Sequence, residues 1–118
     1  MSNLKRGMVI DVNLEPTKGS ETGKIRPCVI VTNNTYNKRV PVIQVVPITE
    51  WSLKKANIQT NIDIFPSPIN GLTKNSIADC LQTRPIDYSS RLIEVRGELE
   101  PETQKKIDHA LKVVFDLL

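Results

Sequence analysis

The sequence predicts a mainly β fold, a small antiparallel barrel or curled sheet, with a single helix at its C-terminal end. Three observations carry this expectation. Six short apolar runs rich in β-branched residues are each bounded by Gly, Pro, Asn or Ser. No helical periodicity lies between them, which speaks against βαβ crossovers. A helical stripe is confined to the end of the chain. Residues 7–14 and 27–32 read as the first two strands, and 40–48 as the third. Near-continuous apolarity in 27–32 and 40–48 marks central strands. Pro41 places the start of the third at an edge or a bulge. Residues 59–64, 76–82 and 92–97 complete the set. From Pro101 onward, Ile107, Ala110, Leu111, Val114, Leu117 and Leu118 fall on one helical face. Pro101 suits the first helical position, and Glu100 and Glu102 suit the positive end of the helix dipole. This helix is expected to cover the sheet or a partner subunit.

A chain of 118 residues suits one domain spanning 1–118, large enough to bury a core without staples. No apolar run approaches the ~18–20 residues of a membrane span. Nothing near Met1 marks a signal peptide, so a cytoplasmic protein without membrane contact is expected. Two cysteines and one histidine cannot close a four-ligand zinc site, and neither a metal nor another cofactor is expected. Charge is unevenly placed. Residues 1–93 carry 12 basic and 7 acidic side chains, whereas 94–118 carry 4 basic and 6 acidic. The mildly basic body favours phosphate backbones or acidic peptides as ligands.

Little conventional catalytic equipment is present. His109 lies off the apolar stripe of the final helix, about 200° from Ile107. A solvent-facing His there leaves no Ser-His-Asp triad. Cys28 and Cys80 sit inside apolar runs and read as small buried hydrophobes. No Gly-rich phosphate loop of known spacing occurs, and Trp51 reads equally as a packing residue or a stacking platform. Two loops stand out. Residues 15–24 are polar and hinged by Gly19 and Gly23, able to close over a ligand or to serve as a plain hairpin loop. Residues 64–74 carry Pro66, Pro68 and an Asn70-Gly71 turn, the signs of a structural connection. Arg26 stands between the first loop and a central strand, with Pro27 holding its backbone extended. Thr49 stands at the far end of another strand. Adjacent strand ends can bring a guanidinium and a hydroxyl together as a phosphate clamp, although composition and spacing alone favour a surface arginine and a turn threonine.

A set of ordered motifs adds to this reading. Arg6-Gly7 precedes the first strand, and Gly19-Ser20-Glu21-Thr22-Gly23 forms the loop. Arg26-Pro27 heads an aliphatic strand, and Pro47-Ile48-Thr49 ends another. Asn75-Ser76-Ile77 is followed by Gln82-Thr83-Arg84-Pro85-Ile86-Asp87. Together these resemble the MazF/PemK toxin family over nearly the whole chain. The resemblance implies a small SH3-like β-barrel assembled as a homodimer. It implies a metal-independent, sequence-specific endoribonuclease acting on single-stranded mRNA, the toxin of a toxin–antitoxin pair. The partner is then an antitoxin whose acidic C-terminal segment occupies the RNA groove. By the same resemblance Arg26 and Thr49 are the catalytic residues. Ser20, Glu21, Thr22 and Lys24 lie on the RNA-contacting loop, and Gln82 and Arg84 lie near the groove.

Such a reaction uses the RNA's own 2′-OH as nucleophile, leaving a 2′,3′-cyclic phosphate and a 5′-hydroxyl. The high pKa of arginine suits Arg26 to stabilising the phosphorane rather than to accepting a proton. Thr49 would orient a phosphate oxygen, and Glu21 is a candidate base if its loop closes over the bond. The chain departs from the family pattern in places. Thr22 stands where glutamine is common, and Met8 replaces the acid after Arg6-Gly7. One branch of the family carries an Arg-x-Asp pair where this chain reads Asp79-Cys80-Leu81. Two rival readings keep the fold. A gyrase poison of the CcdB type would need a Trp-Gly-Ile tail, whereas this chain ends Phe115-Asp-Leu-Leu. A non-catalytic barrel binding RNA or protein would not need Arg26.

Overall fold

The computed structural model describes residues 3–118. Strands β1 (Met8–Asn13) and β2 (Ile25–Ile30) are followed by helix α1 (Asn34–Arg39) and the long strand β3 (Val42–Glu50). Next come α2 (Leu53–Ala56), β4 (Asn61–Ile64), β5 (Ser76–Asp79) and a 3₁₀ turn at Cys80–Gln82. The chain ends with β6 (Arg84–Asp87), α3 (Tyr88–Arg91), β7 (Leu92–Glu98) and α4 (Pro101–Val114). The strand order is β4-β5-β3-β2-β1-β7, with β6 on β3, and every pairing is antiparallel. Among the described residues no pairing joins β4 to β7, so the sheet is barrel-like without closing.

β3 is the hub. Its first half pairs β6, its middle pairs β2 and its end pairs β5. It is therefore central, as its apolarity predicts. Pro41 lies just outside it, where a missing N–H removes no ladder bond. Side chains alternate between two cores. Val9, Val29, Val46 and Ile48 pack beneath Ile107 and Ala110 of α4. Ile10, Val12, Cys28, Ile30, Ile43 and Val45 fill the opposite face. Each fully buried Val or Ile contributes about 1.5–3 kcal/mol.

Three expectations need correction. The run 76–82 is not one strand: β5 stops at Asp79, and Cys80–Gln82 turns sharply to launch β6, a strand absent from the sequence reading. Short helices do lie between strands, each started by a polar cap rather than by periodicity. Asn33 accepts from Thr35 N, Ser52 from Lys55 N, and Asp87 from Ser89 and Ser90 N. The final helix stops at Val114, so Leu117 and Leu118 lie beyond it, exposed. The loop 64–74 is a connection, as expected, and buried Asn70 organises it. Its Nδ2 donates to Phe65 O at 2.9 Å, and its Oδ1 accepts from Ser67 N and Leu72 N.

Candidate active site

The polar end of the second core opens into a cleft, and register explains why. Cys28 of β2 faces Pro47 of β3. Two residues further along, past the last paired position, lie Arg26 and Thr49. Thr49 in turn faces Ile77 of β5, and Asp79, two residues on, faces Asn61 of β4. Strand alternation puts Arg26, Thr49, Asp79 and Asn61 on one face of the sheet. All four line one open cleft of about 480 Å³, a volume within the ~300–1,000 Å³ of ligand sites. Arg26 and Thr49 also border a second hollow of about 230 Å³ that holds Lys74, Ser76 and Arg96.

Arg26 is half-buried, and its Nε donates to Gly23 O at 2.8 Å. No bond among the described residues occupies its terminal nitrogens. Lys55 joins the pair from α2, with Nζ 3.4 Å from Thr49 Oγ1 and 3.2 Å from Glu50 O. Asp79 is half-buried in the same cleft. Burial raises its carboxyl above the ordinary aspartate range, against the N–H groups of Gln82 and Leu81 and the charge of Lys55.

The loop before β2 is built as a rigid flap. Glu15 accepts from Thr17 N and Thr17 Oγ1 at 3.0 Å and from Lys24 N at 2.6 Å. These bonds, that of Lys24 foremost, hold its carboxyl below the usual range. Lys24 adopts φ +67°, the left-handed conformation that turns the chain into β2. A Cβ at Gly23 would meet the side-chain oxygens of Glu15 and Thr17 and push aside the bonds that fold the loop.

Of the residues singled out in the sequence, Glu21, Thr22, Lys24, Arg26 and Thr49 line this cleft, whereas Gln82 and Arg84 line a neighbouring hollow and Ser20 lines neither. Gln82 clamps the loop: its Oε1 accepts from Thr22 N and its Nε2 donates to Ser20 O, each at 3.2 Å. Arg84 donates to Leu14 O at 3.0 Å. Both border a hollow shared with Glu21 and Thr22. Glu21 is exposed, and its carboxylate accepts from Lys18 N at 2.8 Å. Sequence reasoning missed Lys55, Lys74, Asp79 and Arg96 as site neighbours. Ser52, an N-cap placed three residues before Lys55, was the one signal available for the first of them.

Cys28 and Cys80 are buried free thiols, each pushed up to about 12 by burial. His109 is exposed. Among the described residues, no group of three His, Cys, Asp or Glu converges to hold a metal. No described helix is long and apolar enough to cross a membrane.

A groove across the end of a curled sheet, in which Arg26 and Thr49 meet beside Lys24, Lys55 and the carboxylates of Glu15, Glu21 and Asp79, with Lys74 and Arg96 in the adjoining hollow, defines a protein able to hold a phosphate group. Residues 5–115 match the model of the PemK-like, MazF-like toxins of type II toxin–antitoxin systems, and the chain belongs to that family. It is 36% identical over 114 residues to the endoribonuclease MazF of Staphylococcus saprophyticus, covering 97% of this chain and 92% of the relative. The fold is similar to MazF of Deinococcus radiodurans, with TM-score 0.82 and 19% identity over 96% of each chain. It is also similar to a mycobacterial endoribonuclease solved with its cognate antitoxin. That match has TM-score 0.76 and 25% identity over 96% of this chain and 95% of the other.

Proposed function

We propose that this chain is a toxin endoribonuclease that cuts single-stranded mRNA at specific sites without a metal ion. The observation that carries the reading is the meeting of Arg26 and Thr49 in one cleft of a family member. The whole chain, 1–118, works as one toxin domain in the cytoplasm.

In this mechanism the 2′-OH attacks the adjacent phosphorus, the P–O5′ bond breaks, and a 2′,3′-cyclic phosphate and a 5′-hydroxyl result. DNA, lacking the 2′-OH, is inert. Arg26, fixed through Nε, presents its terminal nitrogens to the pentavalent phosphate, whose charge exceeds that of the ground state. Thr49, beside Lys55, orients a phosphate oxygen. Lys24, Ser20, Glu21 and Thr22 form the loop wall, where they contact flanking nucleotides. Gln82 and Arg84 border it and hold it in place. An antitoxin with an acidic C-terminal segment competes for the same groove, and the toxin works as a homodimer.

The test is incubation of mixed single-stranded RNA with the protein in EDTA, beside Arg26→Ala, followed by mapping of the ends. Discrete cuts with cyclic-phosphate ends are expected from the parent. The variant should be slower by about 10²–10³-fold, the usual cost of losing one preorganised transition-state donor. RNA binding without cutting by the parent would instead indicate a non-catalytic barrel.

A further inference from the structure

The proposed cleavage needs a proton acceptor at the 2′-OH and a donor at the departing 5′ oxygen. Arginine is poorly suited to either role. The acidic side chains of the cleft are Glu15, Glu21 and Asp79. Glu15 is committed to Lys24 N and to both donors of Thr17, and serves the loop. Glu21 is exposed and committed to Lys18 N. Asp79 differs. It is half-buried on the sheet itself, on the same face as Arg26 and Thr49. It lies diagonal to Thr49 across the β3–β5 pair, a separation of roughly 7–8 Å that a scissile phosphate can bridge. Lys55, which already touches Thr49 Oγ1, lines the same cleft, and its charge acts on Asp79.

Resting on the endoribonuclease reading, we propose that Asp79 and Lys55 are the acid–base pair of this cleft. Asp79 takes the proton of the 2′-OH as the O2′–P bond forms. Lys55 gives a proton to the 5′ oxygen as the P–O5′ bond breaks. The pair is left as a neutral acid and a neutral amine, and transfer of one proton from Asp79 to Lys55 restores both. Arg26 stays charged throughout and Thr49 holds the phosphate between them. The charged groups facing Asp79 are Lys55 of α2, Arg26 of β2, and Glu15, Glu21 and Lys24 of the loop. Burial outweighs the nearby cation and sets the carboxyl above its ordinary range. The rate should therefore fall, on acidification, at a higher pH than a solvated aspartate would give.

The experiment is kcat/KM against pH for cleavage of a short single-stranded RNA in EDTA. It compares the unaltered protein with Asp79→Asn, Asp79→Glu and Lys55→Gln, with RNA affinity and circular dichroism measured alongside. Asp79→Asn should cut about 10²–10³-fold more slowly, with RNA affinity nearly unchanged and the acidic limb abolished. Asp79→Glu should keep that limb. Lys55→Gln should be slowed comparably while keeping the acidic limb. Asp79→Asn cutting within a few-fold of the parent, or retaining the acidic limb, would overturn the assignment while leaving the endoribonuclease intact. Should the Asn variant not fold, the unaltered protein decides: a rate flat through acid pH overturns it. RNA left whole by the unaltered protein would remove the endoribonuclease reading and this assignment with it.

Discussion

Gln82 gives both halves of its side-chain amide to the loop rather than to solvent, and in doing so sets the height of the cleft wall. Replacing it with Ala removes two neutral hydrogen bonds while Glu15 still ties the loop's ends. RNA binding should weaken about tenfold, equivalent to about 1.4 kcal/mol, because the loop must be ordered anew on binding. Steady-state kinetics should show this as a raised KM with kcat little changed. Glu15 makes a second prediction. Its carboxyl is held low by Lys24 N and Thr17, so its contribution to loop order is present above the ordinary glutamate value. That contribution is lost as pH falls toward the lower, folded value. Protection of the loop amides, taken relative to their intrinsic exchange rate at each pH, should therefore fall on acidification through the carboxylate range, and Glu15→Gln should flatten the dependence. At this scale the sequence discloses a good part of the site. Arg26 and Thr49 are legible as residues at strand ends, and it is the family resemblance that singles them out as a pair. Asp79 is not, because it faces the cleft only once β5 is set against β3 and its strand is seen to stop there.

Elements of this chain are decided by crowding as much as by propensity. Gly97 of β7 faces Val9 across the first pair, and the loop after β4 passes directly over it. A Cβ at 97 would strike Ile69 O and the backbone of Asn70. That loop cannot retreat freely, since Asn70 is buried and bonded to Phe65, Ser67 and Leu72. Gly97→Ala should therefore destabilise the protein by about 1–3 kcal/mol, the range for overpacking against backbone. A urea titration would read this as a lower midpoint with unchanged slope. Gly19, with nothing within 4 Å of the same virtual atom, provides a control for crowding, although its φ of +55° carries backbone strain of its own. The long strands and α4 are legible in the sequence because burial imposes a period on them. The helices α1, α2 and α3 are 4–6 residues long, too short to show one. They are written instead in single capping residues, Asn33, Ser52 and Asp87, which resemble ordinary turn formers until the neighbouring strands fix their direction.

Two cores share one sheet, and this makes the molecule cooperative. Val45 belongs to one and its neighbours Val46 and Ile48 to the other, so β3 cannot leave either core without leaving both. The two thiols report on this division, because Cys28 lies in the core beneath the cleft and Cys80 in the core beneath α4. Burial pushes each up to about 12. At pH 8 the thiolate fraction in the folded state is then on the order of one in ten thousand, and a buried sulfur is in addition shielded from reagent. Labelling must await unfolding. If β3 couples the cores, both sulfurs become accessible in the same event. Brief alkylation in intermediate urea should then yield molecules carrying no label or two, and few carrying one. Intact-mass spectrometry resolves the three species directly. A large singly labelled population would show the cores opening separately and would locate the weaker one by which cysteine it carries. Asp79→Asn supplies a useful contrast, since its side chain lies on the cleft face while Cys80 points into the other core. Its labelling pattern should match the parent's even where its cutting does not, separating chemistry at the cleft from the integrity of the sheet that carries it.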